Sequence, residues 1–437
     1  MFVCGPTVYD YPHIGHARTY VMFDILAKWF GHSGFKVKYI QNITDIDDKI
    51  IKRSSEEGVS FDKLARKFEK EYLRTMKMLG ISSVSKYVRA SDKIKNIINQ
   101  IKVLMEKGFA YQIEDGIYFD ISKFQDYGKL SGRTTQQAED GVSRIDESIN
   151  KKNKGDFALW KLSKSGEPAW KSPWGIGRPG WHIEDTAITE EYLGQQYDIH
   201  CGGLDLMFPH HEAEIAQQES ASDKKPFVKY WLHSGLLTMN GNKMSKSLGN
   251  FVTITDVLKK YPPKALRMFF LSAHYRSPID YKEEYLKQSE ATIQRIEEFK
   301  NKLKNIKSGV EDKEMNSIIE ESKNNFENAL NDDLNTPQAL ASVFELIKKI
   351  NPLIDSGNIK KKSAKKILKF LEDTNRIFGI SVKDGYKIPK EIKKLSDQRE
   401  KFRQEKRFSE ADDLRSQITQ KGYSVDDTQF GSLIKKL

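Results

Sequence analysis

Pro12-His13-Ile14-Gly15-His16 sets two imidazoles three residues apart, close to one helical turn. Phe2-Val3-Cys4 before it reads as a short buried strand broken by Gly5-Pro6, and apolar residues at helical spacing from Ala17 to Phe30 follow it. The run therefore falls between a strand and its helix, where unpaired backbone N–H groups and the helix dipole attract phosphate. His13 and His16 can donate hydrogen bonds to a phosphate chain, and Gly15 between them leaves room for a nucleotide to approach. A second element, Lys243-Met244-Ser245-Lys246-Ser247, lies between Asn240-Gly241-Asn242 and Leu248-Gly249-Asn250. Lysines three residues apart on a closing loop can neutralise the charge that builds on departing pyrophosphate. Either element alone could be a loop with exposed side chains; together they point to ATP.

The elements that must position these residues begin with an α/β unit. Lys36-Val37-Lys38-Tyr39-Ile40 alternates as a second strand, and strand, turn, helix, strand is the start of a doubly wound, Rossmann-like parallel sheet. Helices are expected across Ser60 to Leu79 and Asp92 to Lys107, and a hairpin around Gly116 to Phe119. Four of the six tryptophans, Trp160, Trp170, Trp174 and Trp181, share one Gly/Pro-rich span, which reads as an insertion that either seals a pocket or forms a satellite core. The sheet pattern resumes at Tyr197-Asp198-Ile199-His200, and a helix holds His211 to Glu219. The expected organisation is a catalytic domain over residues 1–280 with an insertion at about 85–195. A helix bundle over 281–386 and a small basic module over 387–437 follow, the module built on a helix from Asp397 to Gln420 and a turn at Lys421-Gly422-Tyr423.

The 437 residues are too many for one ordinary domain, while 38% hydrophobic and 30% charged residues describe a multidomain protein with a water-exposed surface. The longest apolar runs, such as Met268-Phe269-Phe270-Leu271, are far shorter than a bilayer requires, and no signal-peptide pattern opens the chain, so a cytoplasmic protein with no membrane partner is expected. Cys4 and Cys201 are the only cysteines and are expected as free thiols. Against 61 Asp and Glu, 72 Lys and Arg give a net charge of +11, which favours a polyanionic partner without identifying it.

In this order and separation, the two phosphate-binding elements resemble the HIGH and KMSKS motifs of class I aminoacyl-tRNA synthetases. Within that class the chain resembles the cysteinyl-tRNA synthetase family. The likeness rests on Met1 to Asp10, Asn42-Ile43-Thr44-Asp45-Ile46-Asp47-Asp48-Lys49-Ile50, Gly177-Arg178-Pro179-Gly180-Trp181-His182-Ile183-Glu184 and Asp205-Leu206-Met207-Phe208-Pro209-His210-His211-Glu212. It continues through His274-Tyr275-Arg276-Ser277-Pro278, Ala329 to Pro337 and Ala411-Asp412-Asp413-Leu414-Arg415, and so covers nearly the whole chain. The family usually carries a short segment before the first strand, so a trimmed chain or an internal start is expected.

The resemblance implies a zinc ion held by two cysteines, a histidine and a glutamate, which binds the substrate thiolate and makes an editing domain unnecessary. Matched residue by residue, the ligands are Cys4, His210 and Glu214, the last two four apart on one helical face. The family's second cysteine falls on Asp185 here. Aspartate can supply an oxygen, so Cys4, Asp185, His210 and Glu214 remain a chemically possible set; the alternatives are that Cys201 supplies the missing thiolate, or that the metal is lost and cysteine is selected by shape.

By the same resemblance, Cys4, Trp181, Thr44 and His200 face the substrate cysteine, and Asp205 after Gly202-Gly203 suits a ribose hydroxyl. ATP is expected on His13, Gly15, His16, Asp205, Lys243 and Lys246, with Mg²⁺, and His13, His16, Lys243 and Lys246 are the catalytic candidates. The partners implied are ATP, L-cysteine and tRNA(Cys), with a monomer as the working unit. Lys393, Lys394, Arg399, Lys401, Arg403, Lys406 and Arg407 are candidate anticodon readers, although interleaved Glu400, Glu405 and Glu410 also suit a salt-bridged surface helix. Two rivals remain: a ligase that hands the same adenylate to an amino sugar, which would lack the basic module, and a paralogue that binds RNA without catalysis.

Overall fold

The computed structural model describes residues 1–133, 150–244, 249–307, 314–380, 389–428 and 431–436. Its centre is a five-stranded parallel sheet ordered Val228–Ser234, Tyr197–Gly203, Phe2–Val3, Ile40–Ile43, Lys86–Arg89. From Phe2–Val3 the chain runs outward to one edge and then returns to build the other. The strand order therefore reverses between Phe2–Val3 and Tyr197–Gly203, and in such sheets ligands bind at the carboxyl ends beside that reversal. Cys4 leaves one of these two strands and Leu204-Asp205 the other.

Sequence and structure part company at the second strand. Lys36 and Lys38 are exposed, and pairing begins only at Ile40–Ile43, whose four residues are all buried, as a strand covered on both faces requires. Its polar members are partly satisfied inside: Tyr72 Oη donates to Gln41 Oε1 at 2.8 Å and Asn42 Oδ1 accepts from the Gly5 N–H, while Gln41 Nε2 is buried without a hydrogen-bond partner. Gly5 has to be glycine, because a Cβ there would lie 1.8 Å from the Asn42 carbonyl oxygen.

A second five-stranded sheet, antiparallel and ordered Ala110–Ile113, Gly116–Phe119, Phe157–Leu162, Gly175–Pro179, Trp170–Ser172, forms the insertion. It is shorter than the sequence suggests, since Lys86–Arg89 is the edge of the parallel sheet. Trp160 is fully buried in its core with Trp170 and Trp174 packed against it, while Trp181 lies beyond that sheet and half-buried.

These layers form one compact unit, Met1–Lys260 with Tyr275–Tyr281; Tyr261–His274 and Lys282–Leu437 form another. The second is helical over Pro263–Leu271, Glu283–Lys304, Met315–Asn331, Thr336–Asp355 and Lys361–Phe378. Its last stretch differs from the single helix expected. Lys390–Gln404 and Phe408–Gln420 are separated at Lys406, which takes a left-handed φ of 59°, and a hairpin follows, closing a small core of Ile392, Ile418 and Val425. Arg399 is fully buried there and is excluded as an RNA contact, whereas Lys393, Lys394, Lys401, Arg403, Lys406 and Arg407 are exposed. Among the described residues no helix is long and apolar enough to cross a membrane.

The Ile14–His32 helix is fixed to the first unit by Arg18, which is buried. Nη1 donates to the carbonyls of Gly235 (2.8 Å) and Leu236 (2.9 Å), and Nη2 to those of Tyr275 (3.3 Å) and Ser277. Arg18→Leu should cost about 3 kcal/mol, the order expected when buried carbonyls lose a charged donor. All six tryptophans lie in the first unit, so urea unfolding followed by tryptophan fluorescence reads that unit alone; an unchanged midpoint would contradict the role.

Candidate functional site

His13 caps the helix that His16 enters. His13 Nδ1 accepts from the Gly15 and His16 N–H groups at 3.1 and 3.4 Å, and His16 Nδ1 accepts from the His13 N–H at 3.3 Å. A nitrogen that accepts carries no proton, so each neutral ring keeps its proton on Nε2 and presents it as a donor. The rings stack with centroids 3.7 Å apart, and burial, helped by the charge neighbours His13 and Lys49, holds His16 well below the usual imidazole range. Gly15 is required by this stack, since a Cβ would lie 2.9 Å from the His13 ring and 3.3 Å from Met244 Cε.

Backbone bonds bring the lysine-bearing loop to the same place. Ile14 N donates to the Val252 carbonyl (3.1 Å) and Ile254 N to that of Pro12 (2.9 Å), while Asn242–Lys243 pairs with Leu237–Met239 before the loop. The Lys243 backbone is thereby placed; Lys246 lies outside the described residues.

From His16 the helix leads to Tyr20, whose hydroxyl donates to the Cys4 carbonyl at 3.2 Å. Around Cys4 is a buried cluster. Cys4 Sγ lies 3.4 Å from Asp185 Oδ2 and 3.2 Å from Nε2 of both His200 and His211. His210 Nε2 is 3.0 Å from Asp185 Oδ2 and 3.7 Å from Glu214 Oε1. Asp185 and Glu214 occupy the first turns of the Ile183–Leu193 and Glu212–Ser222 helices, where the dipole favours an anion. His210 and His211 sit in the irregular turn before the second of these.

Burial is unfavourable for the charged forms of Cys4, Glu214, His200 and His211. Burial first, then Glu214 and Asp185, pushes the Cys4 thiol well up; burial and Asp185 push the Glu214 carboxyl well up; burial holds His200 and His211 well down. Asp185 Oδ1 and both Glu214 oxygens are buried without a hydrogen-bond partner. Such atoms call for a cation, and the spacing suits one. Tetrahedral bonds of about 2.0–2.3 Å separate donors by roughly 3.3–3.8 Å. The sulfur, nitrogen and oxygen donors of Cys4, Asp185, His210 and Glu214 all lie within 4.8 Å of one another.

Residues 1–291 match the family described as tRNA synthetases class I (C) catalytic domain, and residues 325–383 match the DALR domain. The cysteine–tRNA ligase of Thermococcus gammatolerans is 43% identical over 455 aligned positions, which cover 100% of this chain and 94% of the relative. That of Carboxydothermus hydrogenoformans is 43% identical over 444, with 100% and 95% covered. The chain belongs to the cysteine–tRNA ligase family. The fold is shared more widely: methionyl-tRNA synthetase from Mycobacterium tuberculosis, solved with methionyl-adenylate, superposes with a TM-score of 0.65 at 16% identity over 87% of this chain and 89% of that one.

For a member of the cysteine–tRNA ligases, the residues singled out in the sequence converge to different degrees. Cys4, Asp185, His210, Glu214 and His200 meet in one cluster, and Trp181 stacks on His210 with centroids 4.4 Å apart. Thr44 is buried and donates to Glu184. Asp205 is exposed at the strand end. Cys201 is not brought in: it pairs with Val3 while His200 pairs with Phe2, so alternation sends its side chain to the opposite face of the sheet from Cys4 and His200. Neither four-donor group among the described residues includes it. His182, His211 and His233 are not among the site residues expected from the sequence, although His182 Nδ1 meets His210 Nδ1 and His211 Nδ1 meets His233 Nε2, each at 2.8 Å. The available signal was density, since five of the nine histidines fall between residues 182 and 233.

Cobalt added to the purified protein should produce thiolate-to-cobalt charge-transfer absorption. Cys4→Ala should abolish it and Cys201→Ala leave it in place; the reverse result would return Cys201 to the site.

Proposed function

We propose that this chain activates L-cysteine with ATP and transfers the cysteinyl group from cysteinyl-adenylate to the 3′-terminal adenosine of tRNA(Cys). The observation that carries this reading is the buried Cys4, Asp185, His210 and Glu214 donor set, joined through Tyr20 to the stacked His13 and His16 at the carboxyl ends of a parallel sheet. A zinc ion held there would supply a Lewis-acid position that takes a thiolate and leaves a hydroxyl protonated and weakly bound. Trp181, stacked on His210, walls the amino-acid pocket, and Thr44 and His200 line it. Asp205 accepts from the ribose.

The reaction is in-line attack of the cysteine carboxylate on the α-phosphate of ATP carried with Mg²⁺. A P–O bond forms, the bond to pyrophosphate breaks, and no covalent enzyme intermediate is needed. The Nε2–H donors of His13 and His16 and the charges of Lys243 and Lys246 stabilise the transferring and departing phosphates. The terminal ribose hydroxyl then attacks the adenylate carbonyl and releases AMP. The exposed cations of the last fifty or so residues suit the tRNA backbone, although Arg407 is already paired with Glu405 and Glu410 at 3.1 and 2.8 Å.

ATP–pyrophosphate exchange tests the reading directly: cysteine should support it, and serine should do so more than about a thousandfold less well. Equal rates with both would sink it. Lys246→Ala should slow exchange by about 10²–10³ with the circular dichroism unchanged; a normal rate would remove the loop from the mechanism. Ending the chain before Lys387 should spare exchange and cripple tRNA charging. Equal losses in the two assays would assign the terminal segment to folding.

A further inference from the structure

Glu214 divides its carboxylate between two groups of donors. Oε1 faces His210 at 3.7 Å, whereas Oε2 faces His200 Nε2 at 3.5 Å, and neither oxygen has a hydrogen-bond partner. Cys4 is divided in the same way, with Asp185 at 3.4 Å on one side and His200 and His211, both at 3.2 Å, on the other. Cys4, His200, His211 and Glu214 thus make a second complete four-donor group, again with all ligand atoms within 4.8 Å of one another and all buried. Three of its separations, 3.2, 3.2 and 3.5 Å, lie at or just below the roughly 3.3–3.8 Å that a tetrahedral cation imposes.

Its outer contacts are also those of a metal site. Metal-binding imidazoles use one nitrogen for the ion and hold the other in a hydrogen bond that fixes the ring. His200 Nδ1 meets Tyr197 Oη at 2.7 Å, and His211 Nδ1 meets His233 Nε2 at 2.8 Å. His200 is held besides by stacking on Trp231 at 4.4 Å. With one sulfur, two nitrogens and one oxygen, this group is richer in nitrogen than Cys4, Asp185, His210 and Glu214, and suits zinc or cobalt better than magnesium or calcium.

We propose that Cys4, His200, His211 and Glu214 form a second position for a zinc-like divalent cation, adjacent to the first and sharing Cys4 and Glu214 with it. The two positions are filled one at a time, because two dications sharing Cys4 and Glu214 as ligands would repel each other at close range in a buried space. The second position retains the ion when the first is weakened, and it does so away from Asp185, His210 and the Trp181 wall. The inference rests on the thiol-selecting role proposed for the first position, and it separates holding a metal from choosing cysteine.

The test uses the full chain carrying Asp185→Asn with His210→Gln, which keep side-chain volume while removing two donors of the first position only. This variant should still bind about one equivalent of cobalt, with thiolate charge-transfer absorption, while its preference for cysteine over serine in pyrophosphate exchange collapses. Adding His211→Gln should abolish the cobalt signal. A variant that folds by circular dichroism yet binds no cobalt overturns the second position; should the pair not fold, Asp185→Asn with His211→Gln set against Asp185→Asn alone is read the same way, and equal cobalt binding by the two overturns it. Failure of the thiol-selection reading looks different: the wild-type protein would bind metal and activate serine as well as cysteine.

Discussion

Six ionisable side chains, Cys4, Asp185, His200, His210, His211 and Glu214, share a volume from which water is excluded. Each would be costly there if charged and alone. The protein supplies them with helix N-termini and with one another, but it leaves both Glu214 oxygens and one Asp185 oxygen unmatched. A divalent cation would serve these groups together, since it favours the thiolate and the carboxylates and uses neutral imidazole nitrogen. The surrounding architecture can be understood as what is needed to hold this cluster together beside a nucleotide.

The parallel sheet does most of that holding. Its reversal of strand order puts Cys4 and His200 on neighbouring strands and one face, and the first turns of the two helices that carry Asp185 and Glu214 bring those carboxyls to the same place. The nucleotide side is fixed by different means. Mutual capping of His13 and His16 turns both Nε2–H groups into donors, Arg18 ties their helix to four carbonyls, and two backbone bonds dock the segment after the lysine loop onto Pro12 and Ile14. Tyr20 spans the two halves with one hydrogen bond.

Much of this was legible in the residues. The strand, turn and helix around His13 and His16, and the helix bundle after Tyr281, follow local patterns that tertiary packing reinforces. The ligand set came from resemblance, because nothing in local spacing joins Cys4 to residues near 185 and 210. Cys201 could be set aside only by pairing register, which sequence does not display. The second strand was misplaced since exposed Lys36 and Lys38 mimic alternation, while the true strand, buried on both faces, contains Gln41 and Asn42 and looks unlike a core segment. The break at Lys406 has no glycine or proline to announce it. His211 and His233 were passed over because their meaning lies in contacts with each other and with Cys4.

The central claim is that a cation held by this cluster receives the substrate sulfur. Zinc K-edge X-ray absorption of the metal-loaded protein, recorded before and after saturation with L-cysteine, reads that contact itself. One sulfur neighbour, from Cys4, is expected in the free protein, and a second at a bonded distance of about 2.3 Å once cysteine is added, with serine producing no change. A first shell that stays the same with cysteine bound would contradict it.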